Sequence, residues 1–425
     1  GAGELGQPES SHVPGSTGIL SASPLGRRDR SGGASESASY TFVRWAGNGW
    51  GIVDGTTNEA RFHSPVDVAA DASGNVYVAD SSNQTLRRIG VDGSVTTLAG
   101  LATVGPGYAD GIGAAARFYL AYGIVLDDGG NAYVADAVNN RIRRVAPDGR
   151  VTTLAGGTAG SQDGTGSQAQ FRNPTGIARS PDGTLYVTEM FNHTVRKIAP
   201  DLRVTALAGS AGAQGNQDGV GSAARFNTPW GIDLDAQQNL YVADSQNGIV
   251  RKITPAGEVF TLTTTPSGTQ FTAGSGTPVL FQAPRGMAAS PDGTLYVADA
   301  SSDSRIFKIA PNAKAMVLAG ASDGLPGYAD GTGSAARFNM PQGVTVGANG
   351  VVYVADTVNN AIRGISPAGK SSTLAGAFCG AELRNGPRTT ASFNQPFAMC
   401  WDLQGNLIVA DSINQALRKI DRLGR

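Results

Sequence analysis

Hydrophobic and polar positions alternate in short runs along most of the chain, and each run is bounded by glycine, proline, asparagine or aspartate. The run at 76–80, VYVAD, is followed by turn residues and then by a second run at 85–89, TLRRI. Alternation with a period of two is typical of half-buried strands, and the bounding residues are typical of turns. The pattern therefore predicts many short β-strands.

The VYVAD-like run occurs seven times, and in every copy its last residue is acidic: Asp80, Asp136, Glu189, Asp244, Asp299, Asp356 and Asp411. Consecutive acids are 53 to 57 residues apart, and four strand-like runs follow one another within each interval. A repeat of this length with four strands is typical of one propeller blade. The sequence predicts an all-β, seven-bladed β-propeller of four-stranded blades, with about 28 strands.

The two ends of the chain predict how the ring closes. The last repeat stops before its fourth strand, whereas residues 41–47, TFVRWAG, match a fourth strand but precede the first complete repeat. We expect this N-terminal segment to become the outer strand of the last blade, which leaves no open sheet edge at the junction. Residues 1–39 are rich in Gly, Ser and Pro and are predicted to be a tail or linker, with the propeller at 40–425.

The repeats also carry a family resemblance. The pattern DGxGxxARF, seen from Asp110 to Phe118 and from Asp330 to Phe338, is followed by GNxYVADxxNxxIRxI and VTTLAG units. Over residues 41–421 this resembles NHL-repeat proteins of the long bacterial type. The resemblance implies a propeller that serves in adhesion, sensing or scaffolding, or in a few members as a lyase or hydrolase. Many relatives have six blades, so seven repeats depart from the common number.

Composition and charge limit the kinds of partner that the protein is expected to bind. The net charge of -1 and a pI near 6.4 provide no positive field for phosphates, so nucleic acid is not expected as a partner. No run is long and apolar enough to cross a bilayer, although the N-terminal tail could tether the protein to a membrane. Surface turns rich in Thr, Ser and Asn, with only six Lys beside 27 Arg, favour a periplasmic or extracellular location. Cys379 and Cys400 are read either as a disulfide or as two thiols.

Most repeated acids are expected to be structural. The acid that ends each VYVAD-like run is predicted to fix a tight turn, in most copies with an Asn three residues later. A second acid recurs before Gly in the long loops, and an Arg seven residues further on is predicted to pair with it in four copies, at Arg61, Arg117, Arg225 and Arg337. The phenylalanines that follow, such as Phe118, are expected to pack between adjacent blades.

Candidate binding residues are sought where the repeats differ. The residue before the position at which each innermost strand usually has glycine should lie at the mouth of the central channel. Around the ring these collar residues are Val66, Tyr122, Thr175, Trp230, Arg285, Gln342 and Phe397. Aromatic rings and a guanidinium could bind a sugar, a peptide or an anion there, or the side chains could simply plug the channel.

Two repeats diverge most from the pattern. In the third, the turn after the acid reads EMFNH, which places Glu189, Phe191 and His193 in one loop as a second candidate ligand-binding site. In the fifth, LTTTP replaces the LAG unit, and the following loop has lost its Asp-Gly pair. Divergent loops on a rigid scaffold commonly bind ligands, although drift would give the same pattern.

The favoured function is a non-catalytic recognition or scaffold module that binds a protein or glycan through the loop face and the channel mouth. The alternative is a propeller lyase or hydrolase with an axial calcium-type site. Only three histidines are present, and one lies in the tail, so a three-histidine metal site in the propeller is excluded. Asp67 and Asp233 are the acids close to the innermost strands that could bind calcium. Tyr122 and Arg285 would be the catalytic candidates. No cofactor is expected otherwise.

Overall fold

Seven antiparallel sheets make up the protein, one for each sequence repeat, which confirms the seven-bladed propeller. The structure is a computed structural model that describes residues 40–47, 49–265, 268–272, 277–278, 281–290, 292–310, 315–321, 323, 325–347, 349–376, 386–387, 391–402 and 404–422. We number the blades one to seven in chain order. The predicted tail, residues 1–39, and Cys379 lie outside the described residues.

The first two strands of each blade form its inner half. The inner strands are Pro65–Ala70, Ala121–Leu126, Pro174–Arg179, Pro229–Leu234, Pro284–Ala289, Pro341–Val346 and Pro396–Trp401. The second strands are the VYVAD-like runs: Val76–Asp80, Ala132–Asp136, Leu185–Glu189, Leu240–Asp244, Leu295–Asp299, Val352–Asp356 and Leu407–Asp411.

The outer half of each blade contains a third strand and an outer strand. The third strands are Thr85–Ile89, Arg141–Val145, Thr194–Ile198, Ile249–Ile253, Arg305–Ile309, Ala361–Ile365 and Ala416–Arg422. The outer strands of blades one to six are Ser94–Ala99, Arg150–Gly156, Arg203–Ala208, Glu258–Thr265, Ala315–Ala319 and Lys370–Gly376.

Short elements lie in the connections. The short strands outside the outer strands are Gly55–Thr56, Gly111–Ile112, Gly164–Thr165, Gly219–Val220, Gly268–Thr272, Thr277–Pro278, Gly331–Thr332 and Gly386–Pro387. The 3-10 turns are Ser81–Asn83, Ala102–Val104, Gly113–Ala115, Gly166–Gln168, Gly221–Ala223 and Ser245–Asn247. Within the described ranges, no helix is long and hydrophobic enough to span a bilayer.

The ring closes as the sequence predicts. The N-terminal strand Tyr40–Ala46 is the outer strand of blade seven, where Phe42 pairs with Ile420 and Arg44 with Arg418. The sheet of blade seven therefore combines the first and last described strands of the chain. This pairing gives the outer half of blade seven the same antiparallel arrangement as in blades one to six.

The hydrophobic core lies between blades rather than inside one. Phe118, at the start of blade two, is fully buried in a cluster with Tyr77 and Leu86 of blade one and with Ile124 of its own blade. The predicted position of this phenylalanine between two blades is confirmed. Each blade buries its sheet faces mainly against the two neighbouring blades, so the stability of one blade depends on the next.

Side chains in the turns also join neighbouring blades. In six blades the residue that precedes the third strand has a left-handed backbone, and its side chain accepts the backbone N–H at the entry to the next blade. We call these the clasp residues: Gln84, Asn140, His193, Ser304, Asn360 and Gln415, which accept from Leu120, Asn173, Thr228, Met340, Gln395 and Ser64. Gln415 thereby links blade seven to blade one.

Candidate functional site

The collar lies where the inner strands begin, on the face that also carries the turns between second and third strands. Pro65, the first residue of an inner strand, pairs with Asp80, the last residue of the second strand, which places both ends on one face. We call this the mouth face. Glycine follows most collar residues because the neighbouring inner strand is in direct contact. A Cβ on Gly231 would lie 2.5 Å from the carbonyl oxygen of Arg285.

Among the predicted collar residues, Trp230 contacts two others, Tyr122 and Arg285. The rings of Tyr122 and Trp230 are 6.3 Å apart between centroids, although they belong to blades two and four. The guanidinium carbon of Arg285, in blade five, lies 5.5 Å from the centroid of the Trp230 ring. Contacts between non-adjacent blades show that these side chains converge across the mouth. The arrangement provides an aromatic surface with a cation held against it.

The collar is a low-dielectric environment. Tyr122, Thr175, Trp230, Gln342 and Phe397 are only 3% to 8% exposed, and Arg285 is partly exposed. Burial raises the pKa of Tyr122, so its phenol stays protonated at neutral pH. Burial lowers the pKa of Arg285, but a guanidinium is so basic that it keeps its charge. Thr175 makes a hydroxyl contact with Thr188, 3.3 Å away.

Gln342 contains an unsatisfied polar atom. Its side-chain oxygen, Oε1, is buried without any hydrogen-bond partner in the described part of the chain. Its backbone lies against blade five, because a Cβ on Gly286 would collide with the Gln342 carbonyl oxygen. A buried acceptor without a donor is costly, and Gln342 Oε1 is the one such atom among the seven collar residues, although Thr85 Oγ1 and Asn359 Oδ1 elsewhere in the described blades also lack a partner. Gln342 is thus a candidate for contacting a ligand.

The two acids considered for calcium are held by backbone groups. Asp67 accepts the N–H groups of Val68 and Ile124, and burial raises the pKa of its carboxyl well above the usual value. Asp233 accepts from Leu234 and Ala289, and burial raises its pKa to about 7. Each acid links its own inner strand to that of the next blade. Among the described residues, no three His, Cys, Asp or Glu side chains are grouped as metal ligands.

The divergent loop of blade three divides into packed and exposed residues. Glu189 is fully buried and pairs with Arg196, 3.2 Å away; burial raises the pKa of its carboxyl, an effect that the Arg196 charge opposes. His193 is a clasp residue whose Nδ1 accepts the N–H of Thr228 at 3.0 Å. Phe191 is 49% exposed on the mouth face. Of the three predicted residues, Phe191 is therefore the one presented to solvent.

The expected pairing between the loop acids and nearby arginines is wrong. Asp110 pairs with Arg143 of the third strand, 2.7 Å away, whereas Arg117 donates to backbone carbonyls. The same guanidinium contacts Asp136, the turn acid, at 2.7 Å and lies over the Phe118 ring. Arg143 is completely buried beneath the loop, between Asp110 and Asp136. It therefore occupies the position beside Asp110 that was predicted for Arg117.

Sequence reasoning missed this arginine network. Equivalent arginines are fully buried in six blades: Arg87, Arg143, Arg196, Arg251, Arg363 and Arg418. Each stands seven residues after the turn acid, a spacing that recurs visibly in the sequence. The turn acids do accept the side chain of the following Asn, as predicted, and Asn83 lies 2.8 Å from Asp80. Turn acids such as Asp80 thus accept the side chain of the Asn in the turn and also pair with a buried arginine, and both contacts stabilise the fold.

Comparisons with known proteins agree with this architecture. The family model described as NHL repeat matches residues 62–89 and 338–365. NHL repeat-containing protein 2 of Gallus gallus is 28% identical over 70% of this chain and 46% of its own length. The Arabidopsis thaliana protein SUPPRESSOR OF QUENCHING 1, chloroplastic, is 28% identical over 48% of this chain and 26% of its own length. The chain thus spans less than half the length of either relative.

Solved structures share the fold. A virginiamycin B lyase from Staphylococcus aureus superposes with a TM-score of 0.59 at 14% identity, covering 90% of this chain and 98% of that one. An auxiliary nutrient binding protein from Bacteroides thetaiotaomicron gives a TM-score of 0.54 at 15% identity, covering 91% and 77%. At such identities the likeness concerns the fold alone. The chain thus contains NHL repeats, is similar to NHL repeat-containing proteins and folds as a seven-bladed β-propeller.

Proposed function

We propose that this propeller is a non-catalytic recognition or scaffold module that binds a protein or glycan ligand at the mouth face. The observation that carries the proposal is that Trp230 contacts both Tyr122 and Arg285, so that side chains from three different blades meet at one ring. Tyr, Trp and Arg are the residue types that contribute most binding energy at interfaces. Thr175, Gln342 and Phe397 complete the collar, and Phe191 extends the candidate surface outward.

The mechanism is rigid presentation. Clasp residues join neighbouring blades, and the buried arginines hold the long loops against their own blades. Side chains on such a scaffold lose little conformational freedom when a ligand binds, so little ordering entropy opposes capture. A rigid scaffold with varied residues at its mouth suits binding better than a mobile one.

The test is a glycan and peptide array probed with the full chain, followed by affinity measurements on two alanine variants. Trp230→Ala and Arg285→Ala should each weaken binding by roughly 30-fold or more, because they remove central anchors. Trp401→Ala is the matched control, since Trp401 ends an inner strand on the opposite face and packs against Tyr353. Equal loss of binding and of stability in all three variants would show that Trp230 and Arg285 only pack.

The same samples separate recognition from catalysis. The alternative, a lyase or hydrolase with an axial calcium site, requires carboxylates free to bind metal, whereas Asp67 and Asp233 each hold two backbone N–H groups. Elemental analysis of the purified protein should give calcium well below one equivalent. A stoichiometric ion that is lost in Asp67→Asn or Asp233→Asn would favour the enzyme.

A further inference from the structure

The collar side chains are packed closely at the mouth. Tyr122, Trp230, Gln342 and Phe397 are so well covered that none is more than 8% exposed. A ligand group that reaches Gln342 would have to move some of these side chains aside, and a group of small cross-section would require the smallest movement.

Two neighbouring collar residues, Arg285 and Gln342, can bind different chemical groups of one ligand. Arg285 brings a guanidinium, which can bind both oxygens of a carboxylate, and partial burial strengthens that attraction relative to water. Gln342, at the same position of the next blade, has a buried Oε1 that lacks a donor. A ligand that contacts both side chains would carry an anion for Arg285 and an N–H or O–H group for Gln342. Arg285 is also the only charged residue among the seven collar positions.

The terminal residue of a polypeptide has this combination in a fixed geometry. Its carboxylate and its own backbone N–H are separated by a single Cα, and neither depends on the identity of the side chain. Capture of chain termini by converging donors is a known mode of peptide recognition. The rings of Tyr122 and Trp230 would contact the last residue and exclude water from the ion pair.

The surrounding face suits the residues that precede a chain terminus. Four turns of the mouth face expose an apolar side chain at the same position, Val138, Phe191, Val358 and Ile413, between 38% and 49% exposed. The corresponding residues of blades one, four and five are polar: Ser82, Gln246 and Ser302. A peptide leaving the mouth would thus meet apolar contacts at blades two, three, six and seven and polar contacts at blades one, four and five.

We propose that the mouth binds the C-terminal carboxylate of a polypeptide, with Arg285 as the anion-binding residue and Gln342 Oε1 as the acceptor of the terminal N–H. This rests on the proposed recognition function and names its ligand class. The source is a protein terminus rather than an acidic glycan, because four turns around the mouth expose apolar side chains, which suit the side chains of a peptide better than the hydroxyl groups of a sugar.

The experiment screens one random peptide library twice on the full chain, first with free C-terminal carboxylates and then with amidated C-termini. An array of neutral and uronate-containing glycans runs in parallel. Free-acid peptides should bind, and amidation of the selected peptide should weaken binding at least tenfold because it removes the charge that Arg285 recognises. Arg285→Ala should weaken binding on the order of 30-fold, and Arg285→Lys about tenfold, since lysine lacks the planar fork.

Two further variants separate binding from folding. Gln342→Leu removes the acceptor without leaving a buried polar atom, so it should weaken peptide binding about fivefold with no loss of thermal stability. Arg203→Ala is the matched arginine control, because Arg203 lies on an outer strand with its side chain 68% exposed. It should leave binding unchanged.

Each of the remaining outcomes contradicts either the proposed ligand class or the proposed recognition function. If amidated peptides bind as well as free acids, and Trp230→Ala but not Arg285→Ala abolishes binding, the carboxylate proposal is wrong while recognition at the mouth stands. If uronate glycans bind through Arg285 and peptides do not, the ligand class is wrong but the site stands. If neither library nor any glycan binds, both the ligand class and the recognition function are rejected.

Discussion

Blade five and the other six blades hold their long entry loops differently. In the six, a buried arginine of the third strand lies over the phenylalanine at the end of the loop, as Arg251 does over Phe226 with 4.8 Å between the guanidinium carbon and the ring centroid. In blade five Phe307 takes the arginine position and packs edge-on against Phe281, with 4.6 Å between ring centroids. One ion-pair network is thus replaced by an aromatic pair.

The partners of the arginine change together with it. Blade five has Ala273 where blades one to four and six have the loop acid, and it receives no clasp, because Gly248 stands at the clasp position of blade four. Its turn acid, Asp299, instead accepts two backbone N–H groups, from Gln282 at 3.2 Å and from Ala283 at 2.8 Å. The turn acid persists without the arginine, so its constant task is to accept backbone N–H groups. In blades one to four and six the arginine pairs with the loop acid and fixes the loop, whereas in blade seven, which has Asn385 at the loop-acid position, Arg418 contacts the turn acid Asp411 at 3.3 Å.

The largest expected effect comes from removing one arginine. Arg143→Met should lower the free energy of unfolding by about 3–5 kcal/mol, because it leaves the buried carboxylate of Asp136 without its cation and frees the loop at Asp110. Urea unfolding followed by tryptophan fluorescence measures it. Arg203→Met, at an exposed arginine, is the control and should cost less than about 0.5 kcal/mol. A loss below about 1 kcal/mol for Arg143→Met would mean that the network does not hold the loop.

A smaller effect is expected from forcing a clasp onto the junction between blades four and five. Gly248→Asn introduces the residue type found at the clasp positions of blades two and six, and asparagine tolerates the left-handed backbone there. A Cβ at this position would nevertheless collide with the carbonyl oxygen of Phe281. The variant should therefore lose about 1–3 kcal/mol of stability through overpacking. An unchanged urea midpoint would show that the junction is loose enough to accept a clasp.

The fold was predictable because it follows from repeated local signals. Seven copies of one strand pattern predict seven blades, and the mismatch between the two chain ends predicts the closing strand at Tyr40–Ala46. The arginine network was not predicted because its partners are distant in sequence: Asp54 and Arg87 are 33 residues apart and become neighbours only when the loop folds over the blade. The nearer Arg61 was the wrong choice.

The candidate site was predictable in position but not in contacts. Counting from the repeated glycine gives the collar residues, and periodicity alone implies that they share one ring. That Tyr122 reaches Trp230 across blade three depends on side-chain size at Thr175 and on ring geometry, which no local pattern encodes. Likewise, His193 looked like a candidate ligand-binding residue because it is chemically unusual, yet the position it occupies is a clasp position in five other blades.

The smallest expected effect concerns this histidine clasp, the titratable one of the six. Burial, and to a lesser degree the charge of Arg172, lowers the pKa of His193, whose Nδ1 must be unprotonated to accept the Thr228 N–H. A base with a lowered folded-state pKa contributes stability above its unfolded pKa of about 6.5 and loses that contribution as the pH falls through the folded value.

His193→Asn, which copies Asn140 and Asn360, keeps an acceptor that does not titrate. The variant should match the parent at pH 7.5, and at pH 5 the parent should be less stable by about 1 kcal/mol. Unfolding curves for both proteins at the two pH values measure this difference, in which the titration of other groups cancels. Parallel pH dependence would show that the clasp acts without His193 Nδ1, so the junction of blades three and four would resemble the unclasped junction at Gly248.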